Sequence, residues 1–363
     1  MSRMPRKDFK PLDARRFWTD AQELECTMIL PEAPGVKTFC FKTTDDSWFK
    51  YFPGQFITIE LPTPGEKLLR TYTLSSSPSR PLSIAITVKA QRGSLGSQWM
   101  LDHVQVGDRF RAYGPGGLFT FHNHPAEKYL FISAGSGITP MMSMTRWLYD
   151  DGAHTDITFV HAARRPSDII FRAELERMAQ RLPDLHISFV IEEDDPYVAW
   201  TGYRGRLSQL MLPLMAPDYL EREIFCCGPA PFMQEVRDIL HSVGFDMEHY
   251  HEENFLAPVL AESEREEPDD VIPDEDSRAA VIFAASGVEA ACRETDTVLA
   301  VAKAAGLNIP SACQFGVCGT CKVRKLSGEV HMVHNGGISD DDIASGHILA
   351  CCSNPIGRVE VDV

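Results

Sequence analysis

Between residues 28 and 125, apolar and polar positions alternate in short runs. Thr38-Phe39-Cys40-Phe41-Lys42, Phe56-Ile57-Thr58-Ile59-Glu60-Leu61 and Leu82-Ser83-Ile84-Ala85-Ile86-Thr87-Val88 each keep a period of two. That period, bounded by Pro and Gly, predicts antiparallel strands, and several such strands close most easily as a barrel. From residue 126 the pattern changes. Tyr129-Leu130-Phe131-Ile132-Ser133 is a continuous apolar run, as expected of a parallel strand covered on both faces. A glycine loop follows, then a helix to about Trp147, with Thr139 predicted as its cap and Pro140 at its first position. Strands at 157–160, 187–190 and 223–227, with a helix over 170–181, complete a βαβ progression. The prediction is an α/β domain with a parallel sheet. A third pattern starts at 279. Val281-Ile282-Phe283 opens a strand, Asp296-Thr297 caps a helix that stops at Gly306, and strands follow Cys321 and end near Val361. One helix on a mixed sheet is an α+β domain.

Length and charge refine this picture. A chain of 363 residues with 44% hydrophobic content holds two or three packed cores. Residues 1–27 read as a polar, basic extension without the apolar core of a secretory signal. No run of eighteen apolar residues exists, so no membrane-spanning helix is expected. Ten cysteines without a signal segment imply a reducing compartment, and the expected location is the cytoplasm. A net charge of −16 argues against nucleic acid as a partner. Residues 258–278 hold nine acids, two arginines and three prolines, which predicts an extended, self-repelling linker. The expected partition is therefore extension 1–27, barrel 28–125, α/β domain 126–257, linker 258–278 and α+β domain 279–363.

The chemistry is concentrated in Cys313-Gln-Phe-Gly-Val-Cys318-Gly-Thr-Cys321. Four residues separate the first two cysteines and two separate the next pair, with Cys351 and Cys352 further on. Thiolates suit iron–sulfide chemistry, and structural zinc sites usually pair two C-x2-C knuckles, of which only one is present. The spacing resembles that of plant-type 2Fe-2S ferredoxins over about the last quarter of the chain. That resemblance implies a β-grasp fold and a cluster held by Cys313, Cys318, Cys321 and Cys351, the last because the ligand there follows a short apolar strand. His331 and His334 are expected to be an exposed loop pair. A Rieske site needs two Cys–His pairs, and none is seen, so any oxygen-activating iron belongs to another protein.

Arg70-Thr71-Tyr72-Thr73-Leu74-Ser75 resembles the R-x-Y-[ST] signature of the ferredoxin–NADP reductase superfamily. By that resemblance Arg70 pairs with a flavin phosphate, Tyr72 packs on the flavin, and Thr73 hydrogen-bonds near its reactive nitrogen; Ser75 joins this binding set. Gly93-Ser94-Leu95-Gly96-Ser97 is similar to the family's second phosphate loop, with Gly93 and Ser97 as contacts at a helix start near Gln98. Ala134-Gly135-Ser136-Gly137-Ile138-Thr139-Pro140 matches its G-x-G-x-[TS]-P nicotinamide loop, which adds Gly135, Gly137, Thr139 and Pro140. Cys227-Gly228-Pro229 resembles the motif whose Cys lies beside the nicotinamide–flavin contact, and Glu253 stands in an E-x-F sequence that closes this domain near the flavin. Thr73, Cys227 and Glu253 are thus the expected reaction-centre residues. Arg164, at a strand end, is placed to meet the adenosine ribose or its phosphate. No acidic residue is seen at that end, which leaves NADH and NADPH both open, with NADH preferred from the family layout.

The order flavin, nicotinamide, cluster resembles the reductase components of two-component Rieske oxygenases, and in overall look the reductase subunits of glycine betaine monooxygenases. The resemblance implies an NAD(P)H-dependent oxidoreductase that passes electrons from NADH through FAD and a 2Fe-2S cluster to a partner Rieske-type oxygenase acting on a quaternary amine. FMN is the other flavin compatible with the Arg-x-Tyr signature; the loop at Gly93 to Ser97 favours FAD. Two other readings stay open: a reductase for a hybrid-cluster protein, a haem protein or a di-iron oxygenase, and a non-catalytic electron-carrier scaffold.

Overall fold

A computed structural model of the chain describes residues 16–18, 22–63, 67–91, 94–152, 155–253, 255, 277–311, 316, 319–334, 337–338 and 340–363. The first unit contains strands β1 (Gln22–Ala33), β2 (Val36–Thr43), β3 (Phe56–Pro62), β4 (Lys67–Thr73) and β5 (Ile84–Lys89), helix α1 (Leu95–His103) and strand β6 (Arg109–Gly116). Its six strands run in the order β4-β3-β6-β1-β2-β5, all pairs antiparallel. A bridge between Leu74 and Ile86 joins the two ends of the sheet and closes the barrel. The period of two puts Phe39, Phe41, Ile57, Ile59, Ile86 and Val88 inside, where all are buried. The sheet starts earlier than the predicted boundary at residue 28. Leu24 and Cys26 point into the core from β1, and Trp18 is buried against Phe49. Helix α1 also starts early, at Leu95, because the Ser94 hydroxyl accepts the Ser97 N–H and caps it.

The second unit contains β7 (Lys128–Ala134), α2 (Ile138–Asp151), β8 (Asp156–Ala163), α3 (Arg172–Ala179), β9 (Leu185–Ile191), β10 (Tyr203–Arg204), α4 (Leu212–Met215), β11 (Glu223–Cys227), α5 (Ala230–Ser242) and β12 (Tyr250–Glu253). The sheet is parallel in the order β10-β9-β8-β7-β11-β12. Both faces are covered, which explains the continuous apolar runs. Phe131, Phe159 and Phe225 pack with Ile138 and Met141 of α2, whereas Leu130, Val160 and Ile224 pack with Val236 and Leu240 of α5. Gly137, not Thr139, is the N-cap of α2. The Thr139 hydroxyl instead donates to Ser136 O at 3.1 Å, inside the first turn.

Helix α2 also docks the second unit on the barrel. Arg146 Nη1 donates to Ser75 O at 2.5 Å and the Ser143 hydroxyl to Ser76 O at 2.7 Å. Arg80 of the barrel grips Asp150 with two nitrogens, at 2.9 and 2.6 Å.

The third unit contains β13 (Arg278–Phe283), β14 (Val288–Arg293), α6 (Val298–Ala304), β15 (Lys322–Met332), α7 (Asp340–Ala344), β16 (His347–Leu349) and β17 (Ser353–Val361). The order is β14-β13-β17-β15-β16, with β13 and β17 parallel and the other pairs antiparallel, so the sheet is mixed. Thr297 caps α6 as predicted, accepting the Ala300 N–H at 3.2 Å, and Gly306 follows the helix with a φ of +78°. His331 and His334 differ from expectation. Both are partly buried, and His331 lies within β15. Of the predicted linker, residues 258–276 lie outside the described residues, and Arg278 already belongs to β13.

Arg222 shows how the second unit is held at its far end. Its guanidinium is nearly buried and meets Asp156 through two nitrogens at 2.8 and 2.9 Å, Asp218 at 2.6 Å and Tyr129 O at 3.1 Å. Replacing it by Met takes the guanidinium from two partly buried carboxylates, of which Asp218 keeps Lys128 at 2.9 Å. The expected loss is about 3 kcal/mol of stability, measured by denaturant unfolding of Arg222→Met against wild type.

Candidate functional site

The site is built from strand ends. In a parallel sheet, ligands sit beyond the carboxyl ends of the strands. Cys227 closes β11 and Glu253 closes β12, and the two are register partners. Thr73 closes β4 of the barrel, and its hydroxyl is near enough to the Glu253 carboxyl to act on its pKa. The three residues expected at the reaction centre therefore meet, although they come from two domains. Glu253 Oε2 is enclosed with no hydrogen-bond partner. Burial raises the Glu253 pKa to about 8, with the Thr73 hydroxyl opposing the shift. The carboxyl is thus largely protonated at neutral pH and has a hydrogen to offer. Burial likewise pushes the Cys227 thiol well above its usual range, and Glu253 adds to the effect. Cys227 is an uncharged packing surface under these conditions, not a thiolate. Cys226 sits in the opposite, α5-covered core as a small apolar side chain.

Beside this triad is an anion cradle. Arg70, Tyr72, Thr73, Ser97 and Thr139 line one cleft, together with Phe255. Arg70 lies across the first turn of α1, so closely that a Cβ on Gly96 would fall 2.6 Å from Arg70 Cγ. A guanidinium and a helix N-terminus thus face the same space, an arrangement suited to phosphate. The Tyr72 hydroxyl is enclosed and without a partner. Burial holds its pKa above the usual phenol range. Ser75 is placed differently from expectation. Its hydroxyl is committed to Thr87 at 2.9 Å and Ala85 O at 3.3 Å inside the barrel. Gly93 lies outside the described residues.

The glycine turn approaches the same cleft from the parallel sheet. Gly135 takes a φ of +56°, and a Cβ on Gly137 would sit 2.2 Å from Cys227 O. Only glycine permits this closeness of turn and strand end. Pro140 lies in the first turn of α2, Gly228 abuts Ala134, and Pro229 caps α5. Two residues here escaped the sequence reading. Lys89, at the end of β5, lines the cleft, and its Nζ lies 3.5 Å from where a Gly135 Cβ would be. His161 is fully buried, with Nδ1 2.9 Å from the Ser133 hydroxyl and Nε2 unpartnered. Burial, and then Lys89, lower its pKa to about 3, so the ring is neutral. A lysine ending a barrel strand and a histidine within a sheet strand carry no local motif.

Arg164 requires a correction. It does stand at the end of the sheet, but it is bound to an acid, Glu193, at 2.9 Å, as is Arg165 at 2.9 Å. An acidic residue therefore does occupy this strand end. Both arginines lower the Glu193 pKa through hydrogen bonds, so it is charged.

In the third unit, Cys321 and Cys351 are brought together. The Cys351 N–H donates to Cys321 Sγ at 3.4 Å, and both side chains are buried. Backbone N–H donation to sulfur is the usual support of a cluster thiolate. Gly316 and Gly319 take φ values of +67° and +70°. Cys352 is only partly buried, and its Sγ approaches Leu349 O at 3.7 Å. Cys313 and Cys318 lie outside the described residues.

A closed barrel with an arginine–helix cradle, a parallel sheet with a glycine turn and a third unit with paired cysteines define an electron-transfer oxidoreductase of three modules. Comparison with known proteins agrees. The chain matches the model of the oxidoreductase FAD-binding domain over residues 31–121, of the oxidoreductase NAD-binding domain over 131–238, and of the 2Fe-2S iron–sulfur cluster binding domain over 282–355. It is 58% identical to the stachydrine N-demethylase reductase subunit Stc4 of Rhizobium meliloti, over 95% of this chain and 98% of that one. It is 45% identical to the glycine betaine monooxygenase reductase subunit of Chromohalobacter salexigens, over 99% and 100% of the two chains. Its fold is that of phthalate dioxygenase reductase, with a TM-score of 0.57 at 24% identity over 94% of this chain and 98% of that one. The chain belongs to the family of FAD-, NAD- and 2Fe-2S-dependent monooxygenase reductase subunits.

The residues present fit these groups. The enclosed, unpartnered Tyr72 hydroxyl borders the cleft where a flavin would lie, and Arg70 with α1 offers positive charge for its phosphates. Glu253 also gives a pH test. A carboxyl whose pKa rises from its ordinary value of 4.5 to about 8 on folding favours the folded state fully below 4.5. That contribution is lost as pH rises toward 8, by at most about 1.4 kcal/mol per pH unit. Wild type should therefore lose more thermal stability between pH 5 and pH 9 than Glu253→Gln does. Parallel curves for the two proteins would contradict the assignment.

Proposed function

We propose that this protein is the NADH-oxidising reductase of a two-component oxygenase whose partner is a Rieske-type iron protein. The final substrate we propose is a methylated quaternary amine, of the glycine betaine or stachydrine kind. The names of relatives that match over nearly the whole of both chains support the amine. The observation that carries the reductase reading is the meeting of Thr73 with Glu253 and its register partner Cys227, with the third unit docked on the barrel through Thr320, the neighbour of Cys321. Bound there, the cofactors supply the redox chemistry: hydride acceptance and one-electron release by the flavin, one-electron carriage by the cluster.

The chain's own residues bind and orient. Arg70, Ser97 and the α1 N-terminus hold flavin phosphates, Tyr72 packs against the ring system, and Thr73 hydrogen-bonds its reactive edge. The neutral Glu253 carboxyl stands within reach of that edge to hold or give a proton. Gly135, Gly137, Thr139, Pro140, Gly228 and Pro229 shape the nicotinamide-side binding surface, and Cys227 provides an apolar wall that excludes water. Cys313, Cys318, Cys321 and Cys351 are the cluster ligands. The reducing environment this requires is that of the cytoplasm.

Glu193 favours NADH over NADPH. It is charged and ties back both arginines that would otherwise meet a 2′-phosphate, and an acid at such a strand end suits a free ribose diol. Glu193→Ala should raise the ratio of kcat/KM for NADPH to that for NADH about tenfold, in steady-state assays with an artificial acceptor. The acceptor is tested by reconstitution. Purified protein, NADH and a purified Rieske-type component should release formaldehyde from glycine betaine or stachydrine. Full NADH oxidation with artificial acceptors but no electron flow to any Rieske-type component would exclude this partner.

A further inference from the structure

A chain of threonine hydroxyls runs from the cluster loop to the flavin cleft. Thr320, the residue before Cys321, donates to Thr58 of β3 at 3.2 Å. Thr58 Oγ1 is 3.0 Å from Thr71 Oγ1, its register partner on β4. Thr71 stands between Arg70 and Tyr72 and lines the same cleft as they do. The first contact joins residues 262 apart in sequence and two different units, and both side chains are buried, Thr58 at 1% and Thr320 at 8% exposure. A hydroxyl has one hydrogen to give. With Thr320 donating to Thr58, the Thr58 hydrogen is left for Thr71. The contact is therefore directional, and it is one of the points at which the third unit engages the barrel.

The surroundings make Thr320 a defined anchor. Gly319 before it takes a φ of +70°, and a Cβ there would fall 2.7 Å from Gly337 O. After it, Cys321 is tied to the turn that carries Cys351, with Cys321 O accepting the Ala350 N–H at 3.0 Å and Cys321 Sγ the Cys351 N–H at 3.4 Å. Displacement of Thr320 thus displaces a cluster ligand directly. Next to the contact, a cleft of about 260 Å³ separates the two units, lined by Tyr113 and Leu118 on the barrel side and Lys322 and Ile338 on the other. The units touch firmly at Thr320 and less closely beside it.

We infer that Thr320 and Thr58 are positioning residues for the one-electron step: their hydrogen bond docks the cluster loop on the barrel and sets the gap between cluster and flavin. This rests on the proposed reductase function. In that step the reduced flavin loses one electron and one ferric ion of the cluster becomes ferrous, with NADH as the source. The rate of such a transfer falls steeply with the gap, whereas hydride transfer on the nicotinamide side does not involve this contact.

The test uses the full-length, cofactor-loaded protein mixed with NADH without oxygen. Flavin bleaching is followed by stopped-flow absorbance, and cluster reduction by freeze-quench electron paramagnetic resonance. A buried hydrogen bond contributes enough to shift a docking equilibrium about three- to tenfold. Thr320→Val and Thr58→Val should each slow cluster reduction by that factor and leave flavin bleaching unchanged. The double variant should be no slower than the slower single one, and Thr320→Ser should restore the wild-type rate. Hydrogen exchange of the 319–322 segment should quicken in Thr320→Val, a readout independent of turnover. Unchanged cluster reduction with unchanged exchange would overturn the inference, as would equal slowing of both phases. Failure of wild-type flavin to bleach with NADH would instead contradict the reductase reading, and the exchange result would still judge the contact.

Discussion

The structure depends on one approach between domains, that of Thr73 at the end of a barrel strand to Glu253 at the end of a parallel-sheet strand. Hydride transfer requires donor and acceptor rings in near-attack contact, so the sheet that binds the nicotinamide must end where the barrel offers the flavin. Neither domain supplies this geometry alone. Helix α2 fixes it from the other side, with Ser143, Arg146 and Asp150 all gripping the barrel. The joint is therefore held at two places, one at the reacting centre and one behind it.

The electrostatics follow from enclosure. Cys227 is buried with Glu253 partly buried beside it, and both are held in their neutral forms, while charged groups stand on Arg70, Lys89 and Glu193 with its two arginines. The α1 N-terminus and the Arg70 guanidinium stand ready for the charged ends of a cofactor. A carboxyl that stays protonated near neutral pH can hold and give a proton.

Local features were legible in the sequence. The cysteine spacing, Arg70-Thr71-Tyr72-Thr73, the turn at Gly135 and Gly137 and the cap at Thr297 each depend on residues a few positions apart, and sequence displays such relations directly. The period-two and continuous runs likewise announced a barrel and a parallel sheet, because burial on one face or both imposes them. Relations between distant residues were not legible. Glu193 lies 29 residues beyond Arg164 and meets it only because β8 and β9 are neighbours. Thr320 reaches Thr58 only because two units dock. Thr139 looked like a cap because capping residues often precede Pro, but Gly137 already turns the chain against Cys227 and starts the helix earlier. Ser75 looked like a flavin contact by its neighbours, but the closing strand of the barrel takes its hydroxyl.

The central claim is that one cleft takes electrons in pairs from one side and releases them singly on the other. The most direct measurement is an anaerobic titration of the purified protein with NADH, followed by visible spectrum and electron paramagnetic resonance. The account predicts that NADH alone bleaches a bound flavin and also brings up the signal of a reduced 2Fe-2S cluster, with nearly one spin per chain at the end point. A flavin that bleaches while the cluster stays oxidised, or a protein that binds neither group, would contradict it.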